Sequence, residues 1–349
     1  MVSRILTALS VVMFFSGLVF GQESACKATD IPVGVISLNG SAFRGLAAED
    51  FVGHVQKRPV TVKNVVFDDG PRRVLIVADV NKKLSADSRK AEDEMIKTLL
   101  ASARPGDTFA IMPAHGPGQD VKFTEDHAAI SQALGQPGDG KRGKDPGVLD
   151  TVMVGIEWFG APQPGDSIVV IAADMQSSRK ANAKMVAKAL YDNHIRMFGL
   201  ALGPVQTKSS VTGGFTTAAS SQGLAQSEPL VGEFVYETGD ENFYPLTTNS
   251  GGLVLSAMNG DGRRTYSMAD PHTVQSVRQK AHSVASMIST YYRMKVEPPA
   301  FGHAGDWSLT INEEIQKHSQ PMFVLYPHEL GPCTQSSPSS ASNSSPAKN

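Results

Sequence analysis

The run Val74-Leu75-Ile76-Val77-Ala78-Asp79 constrains the fold of this chain more than any other stretch. Its apolar residues, three of them β-branched, follow one another without polar alternation, which marks a strand covered on both faces. The run stops on a carboxylate, passes through the polar loop Asn81-Lys82-Lys83, and meets Ser85, a residue suited to cap a helix, with Asp87 in its first turn. A buried parallel strand delivers its last side chain to the carboxyl edge of an open α/β sheet. Ligands of such sheets bind at that edge.

The rest of the chain supplies partners for that strand. Met95, Ile96, Leu99, Leu100 and Ala103 recur at helical spacing, and Pro105-Gly106-Asp107 stops the helix. A second strand is expected at 108–112, a short helix at 126–134, a Gly/Lys/Pro loop at 135–147 and a helix at 148–158. Residues 167–173 read as an apolar strand ending on Asp174, and Ser178 opens a helix with Met185, Val186, Ala189 and Leu190 inward. Strands follow at 195–202 and 251–257, and a long helix at 269–293 carries Val274, Val277, Ala281, Val284, Met287, Ile288 and Tyr291 on one face. Strands alternating with helices predict an α/β, Rossmann-like, doubly wound and mostly parallel sheet.

Both flanks read as β structure. Before the sheet come a strand at 31–38, the turn Asn39-Gly40, a helical turn at 46–51, a turn at Lys57-Arg58-Pro59 and a strand at 60–67. After the long helix come strands at 307–311 and 322–326. Between 203 and 245 the pattern dissolves into Ser, Thr and Gly, read as a surface insertion. Asn259-Gly260-Asp261-Gly262 reads as a plain turn, because Arg263 and Arg264 occupy what would be calcium-ligand positions.

The chain begins like a secretory protein. Arg4 precedes an apolar run at 5–20, and Gly21 and Ser24 lie near a cleavage point; a retained anchor is the alternative. A lipoprotein at Cys26 is disfavoured by Glu23, where lipid attachment wants an apolar residue. The two cysteines, Cys26 and Cys333, stand at opposite ends of the expected folded region; an oxidising compartment invites their pairing, against two separate thiols. The expected organisation is a signal at 1–21, a β segment at 26–70, an α/β domain at 71–294, C-terminal strands at 295–333 packing with the first segment, and a disordered Ser/Pro/Asn-rich tail at 334–349. After signal cleavage no membrane span is expected. A formal net charge of -2 gives no nucleic-acid signature.

The order strand, acidic loop, helix, strand, helix, strand ending in Asp resembles a von Willebrand factor A (VWA) domain. With Gly45-Leu46-Ala47-Ala48-Glu49-Asp50-Phe51 and the strand at 60–67 before it, the chain from about Ile31 to Cys333 resembles the secreted A-domain proteins common in Acidobacteria. That resemblance implies a protein-binding module. It also implies a metal-ion-dependent adhesion site, in which Asp-x-Ser-x-Ser, a threonine and a later aspartate give hard oxygens to magnesium. Asp79 matches the first aspartate and Asp174 the later one, Asn81 stands at the first serine, and Lys83 at the second. Pro146-Gly147-Val148-Leu149-Asp150 has no hydroxyl at the threonine position, and Thr151 comes late. The implied site, Asp79, Asn81 and Asp174, is therefore degenerate; no cofactor is expected, with retained magnesium as the alternative. Two readings stand for Lys83: its ammonium replaces the ion, or it points to water while Asp79 caps the Ser85 helix region or binds backbone amides.

No Gly-x-Ser-x-Gly elbow, phosphate loop or His-Glu-x-x-His run occurs, and the nine histidines, His115 among them, form no ligand pair. No catalytic residue is assigned. The expectation is a secreted, periplasmic or envelope-bound binding module whose unidentified protein partner meets residues 79–85, 143–150 and 174–178. The alternatives are a hydrolase using sheet-edge carboxylates and a purely structural envelope protein.

Overall fold

The computed structural model describes residues 28–37, 41–81, 83–116, 118–134, 146–173, 175, 178–202, 243–256, 267–299, 305–318 and 322–330. The signal at 1–21, the Asn39-Gly40 turn, Asp174, most of the 203–245 insertion, the 259–262 turn, Cys26, Cys333 and the tail at 334–349 lie outside the described residues.

The chain opens with strands β1 (Thr29–Ser37), β2 (Phe51–Val55) and β3 (Arg58–Asp68). The α/β part follows as β4 (Arg73–Asp79), α1 (Ala86–Ala101), β5 (Thr108–Ala114), β6 (Val121–Thr124), α2 (His127–Ala133), α3 (Val148–Trp158) and β7 (Ser167–Ala172). It continues with α4 (Ala183–Asp192), β8 (Arg196–Ala201), α5 (Phe243–Asn249), β9 (Val254–Ser256) and α6 (Pro271–Ser289). Then come β10 (Tyr291–Glu297), β11 (Gly305–Ile311), α7 (Glu313–His318), β12 (Met322–Leu325) and β13 (Glu329–Leu330).

The α/β sheet has the order β6-β5-β4-β7-β8-β9, with β6 antiparallel to β5 and every other pair parallel. Successive side chains of β4 explain its unbroken apolar run. Val74, Ile76 and Ala78 enter one core with Met95 and Leu99 of α1 and Val277 and Val284 of α6. Leu75 and Val77 enter the other with Val152 and Ile156 of α3 and Val186 and Leu190 of α4. Each fully buried side chain of this size contributes roughly 1.5–3 kcal/mol. Gly155 lets α3 lie close, since a Cβ there would come within 2.2 Å of Leu75 Cδ2.

The flanks form a second, antiparallel sheet, β12-β1-β10-β3-β2-β11-β13, with a core of its own built on Val33, Val55, Tyr292, Met294, Trp307 and Leu309. It curls until its ends meet. The Trp307 ring of β11 lies 5.2 Å from Tyr326, just past β12, and its Nε1 donates to Pro327 O at 2.6 Å.

Several expectations need correction. The helix expected to reach Arg293 stops at Ser289, because Thr290 turns to φ -131° and the next residues pair with β1 and β3. Residues 291–294 therefore belong to the flank sheet and not to the α/β sheet. The expected turn at Lys57-Arg58-Pro59 sits one position earlier, with Gln56 at φ 49° and Lys57 at φ 65°, and Pro59 lies inside β3 opposite His54. Strands β2 and β6 and helix α5 carried no recognised signal. The fourth helix starts at Ala183 with Asn182 as its cap, because Ser178 is used elsewhere, and Met185 is 48% exposed instead of inward.

At the amino side of the α/β sheet, two arginines close the end of α6. Buried Arg196 donates from Nη1 to Met287 O at 3.1 Å and from Nη2 to Ile288 O at 3.0 Å. Arg72 donates from Nε to Ile288 O at 3.3 Å and from Nη2 to Asp68 Oδ1 at 2.9 Å. The Tyr291 ring lies between them, its centroid 4.5 Å from either guanidinium carbon. Burial lowers the Arg196 pKa to about 10, while the helix-end carbonyls favour the charge.

Candidate functional site: the carboxyl edge

Strand β4 has β5 on one side and β7 on the other, so its carboxyl end is the point where the strand order reverses. Asp79 sits there, 1% exposed and opposite Ala114 in the β5 register. A carboxylate so buried needs donors. Its Oδ1 accepts the Asn81 N–H at 3.0 Å and meets His115 Nδ1 at 3.0 Å, and its Oδ2 accepts the Ala173 N–H at 3.3 Å. Because the carboxylate only accepts, the bond places the proton on Nδ1.

Asn81 repeats the arrangement. Its Oδ1 accepts the Lys83 N–H at 3.0 Å, so the alternate side chains Asp79 and Asn81 fold the loop into Asx turns ahead of the Ser85 cap. Lys83 is exposed, and its backbone N–H is what joins this network. Among the described residues, the side chain that reaches Asp79 is the His115 imidazole. His115 holds φ 56°, a conformation uncommon outside Gly, Asn, Asp and His, and its N–H donates to Pro146 O at 3.0 Å. Gly116 beside it is required by close approach, since a Cβ there would come within 2.8 Å of Val80 O.

Asp150, in the first turn of α3, holds the loop before α4. Its Oδ1 accepts from Ser178 Oγ at 3.1 Å, Lys180 N at 3.0 Å and Ala181 N at 2.8 Å, and its Oδ2 accepts from Arg179 N at 2.7 Å. Partial burial opposes its charge, but these donors prevail and hold its pKa below the usual carboxylate value. Thr151 turns away, its buried hydroxyl donating to Gly147 O at 2.9 Å. Under the edge, Glu92 of α1 is 3% exposed and its Oε1 has no hydrogen-bond partner among the described residues. Burial first, then the charges of Asp79 and Asp93, raise its pKa well above the usual range.

Of the residues implied by the resemblance, Asp79 and Asn81 are thus brought together but turned onto backbone amides, and Asp174 lies outside the described residues. Among the described residues no three His, Cys, Asp or Glu side chains are grouped to hold a metal. The Asp79–His115 pair was missed by sequence reasoning. The available signal was adjacency: once β4 and β5 are aligned in parallel, the residue after β5 must lie beside the last residue of β4.

The fold and this edge define a class, a doubly wound α/β domain whose switch-point aspartate is spent inside the molecule. The sequence matches no protein-family model and no curated protein. Similar solved structures include an aerotolerance-related membrane protein from Bacteroides fragilis, at 12% identity over 63% of this chain and 98% of that one, with a TM-score of 0.40. The von Willebrand factor type A protein from Catenulispora acidiphila is similar at 11% identity over 86% of this chain and 74% of that one, with a TM-score of 0.38. The SpRpn10 VWA domain is similar at 12% identity over 38% of this chain and 76% of that one, with a TM-score of 0.30. The likeness is one of fold. No helix among the described residues is long and apolar enough to cross a membrane.

Proposed function

We propose that this chain is a secreted or envelope-associated interaction module of the VWA kind, which meets a protein partner at the carboxyl edge of its α/β sheet without a bound metal. One observation carries the reading. Asp79, the residue a metal would need most, is 1% exposed and already bonded to His115, Asn81 and Ala173. Asn81 Oδ1 is likewise engaged, so the described donors do not fit a small dication that needs free oxygens. Calorimetric titration of the mature protein with magnesium and with manganese tests this. Heat is expected from neither; saturable binding lost in Asp79→Asn would overturn the metal-free reading.

A second reading has an observation of its own. A buried carboxylate on Nδ1 orients an imidazole as in acid–base hydrolases, and Asp79 and His115 are so placed. Ester or peptide turnover lost in His115→Gln would favour it over the interaction module.

The pairing of Cys26 with Cys333 is kept as a proposal. Thr29 and Leu330 line one small cavity between β1 and β13, each three positions from its cysteine, which an extended chain spans in about 10 Å. Peptide mapping of oxidatively folded protein without reductant should recover the linked peptides. Two unlinked thiols there would remove the clasp.

A further inference from the structure

We infer that the seam between the two sheets holds a separate binding site for a small organic acid, a carboxylate carried on a flat apolar body. It lies at the amino side of the α/β sheet and does not depend on the docking face. A cleft of about 320 Å³ opens there between the start of β1, the loop before β7, the end of α4 and the first residues of β10. That volume falls at the low end of the roughly 300–1,000 Å³ of small-ligand sites, which occur preferentially at such junctions.

The walls suit an apolar body. Pro32, Pro162 and Pro164 present rigid rings with no N–H to offer, and Tyr291 stands among them. The loop that carries two of these prolines is held in place by the fold itself. Gln163 N donates to Asp166 Oδ2 at 2.9 Å, and Arg73 Nη2 donates to Ala161 O at 2.9 Å. At Gly165, with φ 87°, a Cβ would come within 2.9 Å of the Tyr291 hydroxyl and 2.7 Å of Arg72 Cδ, so the loop closes directly on the residues beneath.

The polar groups suit a carboxylate. Arg293 stands opposite Pro32 in the β1–β10 register, with its Nε 3.0 Å from Asp68 Oδ2. That contact orients the guanidinium. Its two terminal nitrogens have no hydrogen-bond partner among the described residues and form a fork that matches a carboxylate. Asp30 also lines the cleft, and it stands opposite Lys295 in the same register. The geometry of the fork, and not an excess of positive charge, selects the ligand.

His194 is a second, independent sign. Helix α4 ends in a Schellman motif: Ile195 N donates to Leu190 O at 3.0 Å and His194 N to Tyr191 O at 3.1 Å, with His194 at φ 53°. Glycine is the usual residue in that left-handed position, and a side chain there is strained. Here the position holds an exposed histidine on the lining of the cleft, and its imidazole has no partner among the described residues. Strain kept at a lining position is what a ligand contact would preserve.

The test uses the mature full chain and ligand-observed saturation-transfer NMR with three probes. These are benzoate, its neutral isostere benzamide, and acetate, which has the head without the body. The expected result is saturable binding of benzoate, about tenfold or more weaker binding of benzamide, and none of acetate at the same concentrations. Arg293→Lys keeps the charge and loses the fork, so benzoate binding should fall about tenfold, whereas Lys295→Gln should leave it unchanged. His194→Gly relieves the left-handed position, so it should raise the melting temperature while weakening benzoate binding, a loss that unfolding cannot explain. Benzamide or acetate binding as tightly as benzoate, equal losses in Arg293→Lys and Lys295→Gln, or no saturable binding of benzoate would each overturn the inference. So would a stabilised His194→Gly variant that binds benzoate as before.

Discussion

The two ends of the α/β sheet hold polar clusters of opposite design. At the amino side, Arg72 and Arg196 are buried and directed at the last carbonyls of α6, with the buried Tyr291 ring between them, where the two sheets join. At the carboxyl side, Asp79 and Asp150 are directed at backbone N–H groups of loops whose side chains Lys83, Arg179 and Lys180 are exposed. The first arrangement satisfies acceptors that would be costly to leave bare in the interior. The second fixes the shape of the loops at that edge. One end is therefore read as a joint and the other as a face.

The sharpest way to break this contrast is at Arg196. Replacing it with Ala empties a fully buried site and strips donors from Met287 O and Ile288 O, for an expected loss of about 3–5 kcal/mol in urea unfolding. Arg196→Met refills the volume without the charge and should recover part of that loss. Equal damage from both would place the weight on hydrogen bonding, and little damage from either would deny the joint its role. Binding at the carboxyl edge should survive in whatever fraction stays folded.

Glu92 gives a smaller effect of distinctive sign. Its folded-state pKa stands above its ordinary value of 4.5, chiefly through burial. The folded state thus holds a proton that the unfolded chain releases. The stability tied to that proton is complete below the ordinary pKa and is lost as pH rises through the raised one. Glu92→Gln, a neutral isostere, should flatten that fall, so the variant gains on the natural protein progressively toward alkaline pH. A constant difference between the two at every pH would mean that the carboxyl is not titrating beneath Asp79.

Much of the fold was legible because its elements are periodic and well punctuated. Val148–Trp158 is apolar at helical spacing between Gly147 and Gly160, and it folds as read. What stayed hidden depended on contacts far away in sequence. Tyr291 continues the helical stripe of α6 by spacing, yet pairing with β1 and β3 draws it into a strand. Gln56-Lys57 forms a two-residue hairpin turn with positive φ at both positions, without the Asn-Gly chemistry that usually announces one. At the edge, the sequence picked out Asp79 as the organising residue but not His115, whose role exists only once β4 and β5 are in register. An apolar pattern fixes which face is buried; the partner of a buried charge is chosen by topology.

The smallest effect expected is at Asp150, and it bears on whether the face is preset. Asp150→Ala removes the acceptor of three backbone N–H groups and of the Ser178 hydroxyl. The site is partly exposed and screened, so a loss of only about 1 kcal/mol at neutral pH is expected. Its sign with pH is opposite to that of Glu92. The folded-state pKa is depressed below 3.8, so the contribution is present above that value and is lost as pH falls through the depressed one. Natural protein and variant should therefore converge in acid. If Asp150 holds the loop, amide hydrogen exchange at residues 179–181 should speed up in the variant, because the carboxylate that accepts those N–H groups is gone. A variant that loses stability yet exchanges there as before would show that the loop needs no fixing.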